Sequence, residues 1–279
     1  MKADLHLHTT ASDGRLSPRE LVRKASGINL DVIAVTDHDS VGGIDPALEE
    51  AGHIRGILVI PGIEINTDVH DGETHILGYF IDHHDETLGR ELDELRNSRY
   101  ERGWKMVNKL HDLGMNVKWE RVLEIADGGP VGRPHIALAL QERQYVSTIR
   151  EAFSRYIGRN AAAYVERKKV TPLEALKLIA EAGGLSVLAH PAEIDTLESL
   201  LSELKSAGLV GLEVHYARYT ADTIQRLLAL AARHDLIPTG GSDYHGLDNT
   251  VGVEIGTVGP PQESVERLLA VSKQRRMVT

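Results

Sequence analysis

Lys2-Ala3-Asp4-Leu5-His6-Leu7-His8-Thr9-Thr10-Ala11-Ser12-Asp13 reads as a strand that runs out into potential metal ligands. Leu5 and Leu7 alternate with His6 and His8. Side chains of a strand alternate faces, so the two imidazoles point the same way, about 7 Å apart by strand rise. An acid, Asp13, follows five residues after His8. The rest of the chain repeats this arrangement of an apolar strand followed by a polar exit.

Ser17-Pro18-Arg19-Glu20 announces the first helix, with Ser17 as N-cap, Pro18 at the first helical position and Glu20 completing a capping box. Gly27 marks its stop. Asp31-Val32-Ile33-Ala34-Val35-Thr36 is almost continuously apolar and reads as a buried strand. A helix over 44–51 follows, then strands at 56–60 and 74–80, the latter after a short hairpin through Asp71-Gly72. From about 85 to 165 long polar helical stretches, such as 91–113 and 134–143, replace this rhythm. It resumes at Thr171-Pro172-Leu173-Glu174, a second capping box, with a stop at Gly183-Gly184 and strands at 185–189, 210–214 and 237–241. About seven strands alternating with helices predict an α/β fold with a parallel sheet. The expected division is one unit from 1–84 and 166–279, interrupted by a helical insertion or cap over 85–165.

With 279 residues, 42% hydrophobic and 26% charged, the chain suits one large α/β domain or a barrel with an insertion. No run approaches the roughly 18 apolar residues of a membrane span, and no signal peptide precedes the first strand. Cysteine is absent, which removes disulfides and thiolate ligands and fits a cytoplasmic location. A net charge of −10 argues against non-specific nucleic-acid binding as the main task. Three divalent cations would add six charges and leave about −4, so part of the acidity suits a metal site.

The strand ends carry the chemistry. After His6 and His8 come Thr36-Asp37-His38-Asp39, Pro61-Gly62-Ile63-Glu64, His75 near the start of the fourth strand, Ala189-His190-Pro191, Glu213-Val214-His215 and Gly241-Ser242-Asp243-Tyr244-His245. One histidine at a strand exit is more often a capping or solvated residue than a ligand. Six or more at successive exits reverse that balance. In a parallel barrel all exits converge on one face, whereas an open sheet focuses its site at one switch point, so the pattern favours a barrel. Imidazole and carboxylate donors suit Zn2+, Mn2+, Fe2+ and Co2+. Nine candidates exceed the needs of one ion, so two or three ions sharing a central carboxylate are implied, with Glu64 the natural bridge.

His6-x-His8, Thr36-Asp37-His38, Pro61-Gly62-Ile63-Glu64-Ile65, Ala189-His190-Pro191 and Ser242-Asp243-x-His245 resemble, in order, the motifs of the polymerase and histidinol phosphatase (PHP) family. The resemblance covers the chain outside the insertion. It implies a distorted (β/α)7 barrel with a trinuclear metal centre. It assigns His6, His8, Glu64 and Asp243 to one ion, Glu64, His75 and His190 to a second, and Asp13, His38 and His245 to a third. Many members have a histidine where Asp13 stands; an acid there favours Mn2+ or Fe2+ over Zn2+. Gly132-Arg133-Pro134-His135-Ile136-Ala137 resembles a motif of those members that act on nucleotides, including 3′,5′-bisphosphate nucleotidases and a 5′-to-3′ exoribonuclease. Pro134 suits a helix start, where free N–H groups attract anions, and Arg133 offers a bidentate phosphate fork beside a donor from His135.

The expectation is therefore a metal-dependent phosphoesterase removing the 3′-phosphate from a nucleoside 3′,5′-bisphosphate with metal-activated water. Its partner would be a small nucleotide, or alternatively short RNA, with no membrane or protein partner implied. Arg133 and His135 would grip substrate phosphate, and His215 is a candidate proton donor to the leaving group. Asp37 and Asp39 would orient imidazoles from behind, and Asp4 would be structural. His53, His70, His83, His84, His111 and His234 receive no role. Alternatives are an exoribonuclease on short 5′-phosphorylated RNA, which the arginines and aromatics of the insertion keep open, a histidinol phosphate phosphatase, a non-catalytic PHP metal-binding module, and an amidohydrolase of C–N bonds.

Overall fold

The computed structural model describes residues 1–69, 72–166, 170–246 and 253–277. His70, and Asp71 of the expected hairpin turn, lie outside them. The strands are β1 (Ala3–Leu7), β2 (Val32–Val35), β3 (Leu58–Val69), β4 (Gly72–Tyr79), β5 (Leu185–Leu188), β6 (Gly211–Tyr216) and β7 (Ile237–Gly241). The helices are α1 (Pro18–Gly27), α2 (Ile44–His53), α3 (Glu86–Asp112), α4 (Trp119–Ala126), α5 (Arg133–Glu142), α6 (Ile149–Ala152), α7 (Pro172–Glu181), α8 (Leu197–Ser206), α9 (Ala221–Arg233) and α10 (Gln262–Arg276). Both expected capping boxes form: Ser17 caps α1 with Glu20 reaching back, and Thr171 does the same for α7 with Glu174. Among the described residues no helix is long and apolar enough to cross a membrane.

The seven strands lie in sequence order, β1 to β7. The exit of β7 rejoins β1: the Asp243 N–H donates to the His6 carbonyl at 2.9 Å, and the His8 N–H to the Tyr244 carbonyl at 3.1 Å. The result is a distorted (β/α)7 barrel. The expectation of a parallel sheet is corrected at one strand, because β4 runs antiparallel to both β3 and β5. A parallel neighbour needs a crossover of a dozen or more residues, and the short connection from β3 to β4 leaves room only for a hairpin. β3 also runs well past its expected end, so Glu64 sits within a strand rather than beyond one.

Amphipathic helices cover the strands. Leu21, Val22 and Ala25 of α1 pack on Leu7, Ile33 and Val35, and α7, α8 and α9 bury Leu176, Leu201 and Leu227 against the other side. Each such side chain contributes about 1.5–3 kcal/mol of burial. The helical insertion has its own apolar cluster, including Met106, Leu110, Val122, Ile136, Leu140 and Ile157. Helix α3 belongs to both: Leu88, Leu92 and Leu95 enter the barrel cluster, and Met106, Val107 and Leu110 enter that of the insertion.

Candidate metal centre

Alternation along β1 puts Asp4, His6 and His8 on one fully buried face. The exit of β2 pairs with β3 as far as Glu64, through Asp39 N–H to Glu64 O at 2.9 Å and Glu64 N–H to Asp37 O at 3.1 Å. That pairing lays His38 beside Glu64. His75 comes from β4, His190 from the exit of β5, and Asp243 and His245 from the exit of β7. Asp39, His190 and Asp243 all hold positive φ angles, of 46°, 28° and 55°. Such backbone costs of order 1–3 kcal/mol per residue and gathers at functional sites.

The nine candidate residues gather in one cluster, five of their imidazoles around Glu64. His6 Nε2 stands 3.2 Å from Glu64 Oε2 and 3.4 Å from Asp243 Oδ1, and His8 Nε2 stands 3.2 Å from each. His38 Nδ1 approaches Glu64 Oε2 at 3.0 Å, and His75 Nδ1 and His190 Nε2 approach Oε1 at 2.7 and 3.1 Å. His245 Nε2 lies 3.3 Å from Asp13 Oδ1. Ligand atoms about 2.0–2.2 Å from a common ion stand about 3.0–3.5 Å from one another, which is the spacing around His6, His8, Glu64 and Asp243. Three groups bring their donor atoms within 4.8 Å: His6, His8, Glu64 and Asp243; His38, Glu64 and His75; and His8, Asp13, His38 and His245. Buried His6 Nε2, both ring nitrogens of His8, Asp13 Oδ1 and Glu64 Oε2 make no hydrogen bond. Five orphaned polar atoms in one pocket fit cations better than a packed core.

Electrostatics agree. Burial acts to raise the carboxyls of Glu64, Asp13 and Asp243, yet the surrounding imidazoles hold all three well below the usual range. Burial acts to lower His8, but the adjacent Asp243 and Glu64 carboxylates push it up to about 10. Burial carries His38 down to about 3, leaving it neutral. The three ionised carboxylates demand positive charge, and a cation entering here displaces protons.

Three buried carboxylates stand behind the candidate ligands. Asp37 accepts from Thr9 N–H (2.7 Å), Thr9 Oγ1 (2.7 Å) and Ser12 Oγ (2.6 Å), so it braces the turn that delivers Asp13. Asp39 accepts from Asn66 N–H (3.0 Å) and Arg99 Nε (2.6 Å). Glu213 supports candidate ligands directly: its Oε1 bonds His6 Nδ1 at 2.9 Å, freeing Nε2 for the cluster, and its Oε2 accepts the His190 N–H at 2.7 Å. Asp4 is structural, accepting from Ser242 and Gly256 N–H at 2.8 Å each, and burial pushes its carboxyl up to about 6.

The structure does not bring His215 to the cluster. The β6–β7 register shifts between Glu213 and His215, which lets Glu213 and Tyr216 both face the site; Tyr216 donates to Asp243 Oδ2 at 2.7 Å. His215 is turned aside, and burial alone lowers its imidazole. His135 is buried, and its Nδ1 accepts the Gly132 N–H at 3.0 Å, capping α5. Arg133 reaches a cavity of about 160 Å3 shared with His38, His75 and Glu73. Two arginines that sequence reading did not single out, Arg99 and Arg102 of α3, line the same cavity. Arg133 bonds Glu73, and Arg99 Nη2 is buried without a hydrogen bond. Asp45, His83 and His84 form a separate, mostly exposed group with donor atoms close together.

Fold and site together define a βα-barrel protein with a cluster of His, Asp and Glu side chains that could hold metal at its strand exits, beside arginines from helices α3 and α5. A family model described as the PHP domain matches residues 4–170, and the chain belongs to that family. It is 34% identical over 247 residues to the 5′-3′ exoribonuclease Rnm of Salmonella typhimurium, covering 87% of this chain and 84% of the relative. It is 31% identical over 247 residues to the 3′,5′-nucleoside bisphosphate phosphatase of Chromobacterium violaceum, covering 87% and 86%. A solved Bifidobacterium adolescentis structure, provisionally described as a metal-dependent phosphoesterase, matches with a TM-score of 0.88 at 31% identity, over 96% of this chain and 95% of that one.

Proposed function

We propose that the chain is a metal-dependent phosphoesterase that removes the 3′-phosphate from nucleoside 3′,5′-bisphosphates, such as 3′-phosphoadenosine 5′-phosphate. The observation that carries this reading is the arginine-lined cavity beside the ligand cluster. Arg99, Arg102 and Arg133 bring three guanidinium groups to this cavity of about 160 Å3, one wall of which is His38 and His75. A substrate with two phosphates matches this pair of sites, one phosphate at the cluster and one among the arginines.

His6, His8, Asp13, His38, Glu64, His75, His190, Asp243 and His245 would hold two to three divalent ions, with Mn2+ favoured by the acid at position 13. Ions bound there supply Lewis acidity to the phosphoryl oxygens and to water. The arginines fix the second phosphate and so aim the ester bond at the cluster, a gain of orientation rather than of covalent chemistry. Glu213 holds His6 in one tautomer, and Asp37 and Asp39 fix the Asp13 turn and Arg99.

A second reading, exonuclease action on short 5′-phosphorylated RNA, is favoured by a larger cavity on the other side of Asp13. The deciding assay incubates the Mn2+-loaded protein with 3′-phosphoadenosine 5′-phosphate, a 5′-phosphorylated RNA pentamer and histidinol phosphate. Release of phosphate fastest from the bisphosphate is expected. Faster degradation of the RNA at equal concentration reverses the ranking, and no turnover of any of them refutes the phosphoesterase reading.

A further inference from the structure

Asp45, His83 and His84 share no residue with the cluster at the strand exits. Asp45 lies in the first turn of α2, and the two histidines lie in the segment that joins β4 to α3. His83 Nε2 is 2.9 Å from Asp45 Oδ1, and His84 Nε2 is 3.6 Å from the same oxygen. All three residues offer donor atoms within 4.8 Å of one another. Ligand atoms around a tetrahedral Zn2+ stand about 3.0–3.5 Å apart, so the two measured separations bracket that spacing.

Successive side chains of an extended segment project to opposite sides. Here both imidazoles turn to one side, because the segment folds around Asp82. The Asp82 N–H donates to the Ala182 carbonyl at 2.8 Å, its Oδ1 accepts the His84 N–H at 3.0 Å, and its carbonyl accepts the Asp85 N–H at 3.2 Å. The two rings lie 4.1 Å apart, centroid to centroid, at a tilt of 39°. Two protonated imidazoles at this separation would share one carboxylate oxygen only against their own repulsion. A cation between two neutral imidazoles and an ionised carboxylate has no such conflict. The bond from His83 holds the Asp45 carboxyl below the usual carboxylate range, and no lysine or arginine pairs with it among the described residues. The His83 ring is mostly buried and so held in place, whereas Asp45 and His84 are open to solvent, which leaves an entry path.

We propose that Asp45, His83 and His84 bind one divalent ion of the Zn2+ class, at a site separate from the cluster. Two imidazoles and one carboxylate make a three-donor set with a fourth position left to water. Such donors favour Zn2+, Ni2+ and Cu2+ over Mn2+. The ion ties the start of α2 to the lead into α3, the helix that carries Arg99 and Arg102, and so steadies the root of the insertion. This site is independent of the phosphoesterase reading.

The test dialyses the Mn2+-loaded chain and its His83→Ala and His84→Ala variants against free Zn2+ of up to about 10 μM and counts Mn2+ plus Zn2+ per chain. Exchange of one metal for the other within the cluster leaves that sum unchanged, and filling of a vacant cluster position raises it equally in all three chains. The native chain should end with about one ion more than either variant. Zn2+ should also slow amide hydrogen exchange over residues 82–88 by about threefold or more in the native chain alone. His84→Ala removes an exposed side chain, so it probes the site without disturbing the core. The proposal is overturned if either variant, folded by circular dichroism, binds as many ions as the native chain. It is equally overturned if Zn2+ leaves exchange over 82–88 unchanged in the native chain, or slows it as much in the variants.

Discussion

Glu213 holds His6 in place. Its carboxylate lies 2.9 Å from His6 Nδ1 and also takes the His190 N–H, so one fully buried acid positions two ligand candidates from different strands. Glu213→Gln keeps the shape and removes the charge. It should weaken metal binding about 10–100-fold with the far-UV circular dichroism unchanged; unchanged affinity in a metal titration would refute the role. Arg133 acts on substrate instead. Arg133→Ala should raise KM for a nucleoside 3′,5′-bisphosphate about tenfold or more, the loss of a charge-assisted contact of about 1.5–3 kcal/mol. Hydrolysis of bis(p-nitrophenyl) phosphate, which has no second phosphate, should change by less than about twofold. The nine ligand candidates were legible because imidazoles and carboxylates at strand ends announce themselves by residue type. Glu213 was not, because a register shift in β6, invisible in the residue order, decides that it and Tyr216 face the cluster while His215 does not.

Helix α3 shows what a repeat can reveal at the scale of an element. Leu88, Leu92, Leu95, Arg99, Arg102 and Met106 follow one stripe at spacings of three and four, and the two arginines interrupt it where the barrel and insertion clusters meet. The polar break in the stripe is legible in the residue order only when the helix starts at 86, because Leu88, which sets the stripe, precedes the expected start at 91. The antiparallel β4 was legible as a hairpin, yet it was absorbed into a parallel sheet because the βα rhythm resumed after it. Strand closure gives the element-scale prediction. β7 passes so close to β1 that a Cβ on Gly241 would collide with the backbone nitrogen and Cβ of His6. Gly241→Ala should cost about 1–3 kcal/mol of stability and displace His6, so thermal unfolding and metal stoichiometry fall together. A variant with native stability and full metal content would show that the barrel opens there without strain.

At the scale of the whole chain, the ligand candidates come from β1 and the turn after it, the exit of β2, β3, β4 and the exits of β5 and β7, so ions bound among them would tie residue 6 to residue 245. No ligand candidate comes from the insertion, which packs around its own cluster and contributes arginines instead. The barrel and its site were therefore readable from spaced motifs. The cap was readable only as helical, because its contribution depends on how α3 and α5 dock. Ligation by both ends of one chain would make stability metal-dependent. Ions at about 1,000 times their dissociation constant add about 4 kcal/mol to the folded state, which for a chain of this size raises Tm by roughly 5–15 °C over chelator-treated protein. Differential scanning calorimetry with and without Mn2+ measures it, and an unchanged Tm with metal bound would mean the ions sit elsewhere. Asp13→Ala removes a ligand from only one of the three groups. It should lower metal content by about one ion per chain while keeping most of the rise in Tm, because His6, His8, Glu64 and Asp243 stay intact. Loss of every ion from that variant would contradict the division of the cluster into separable sites.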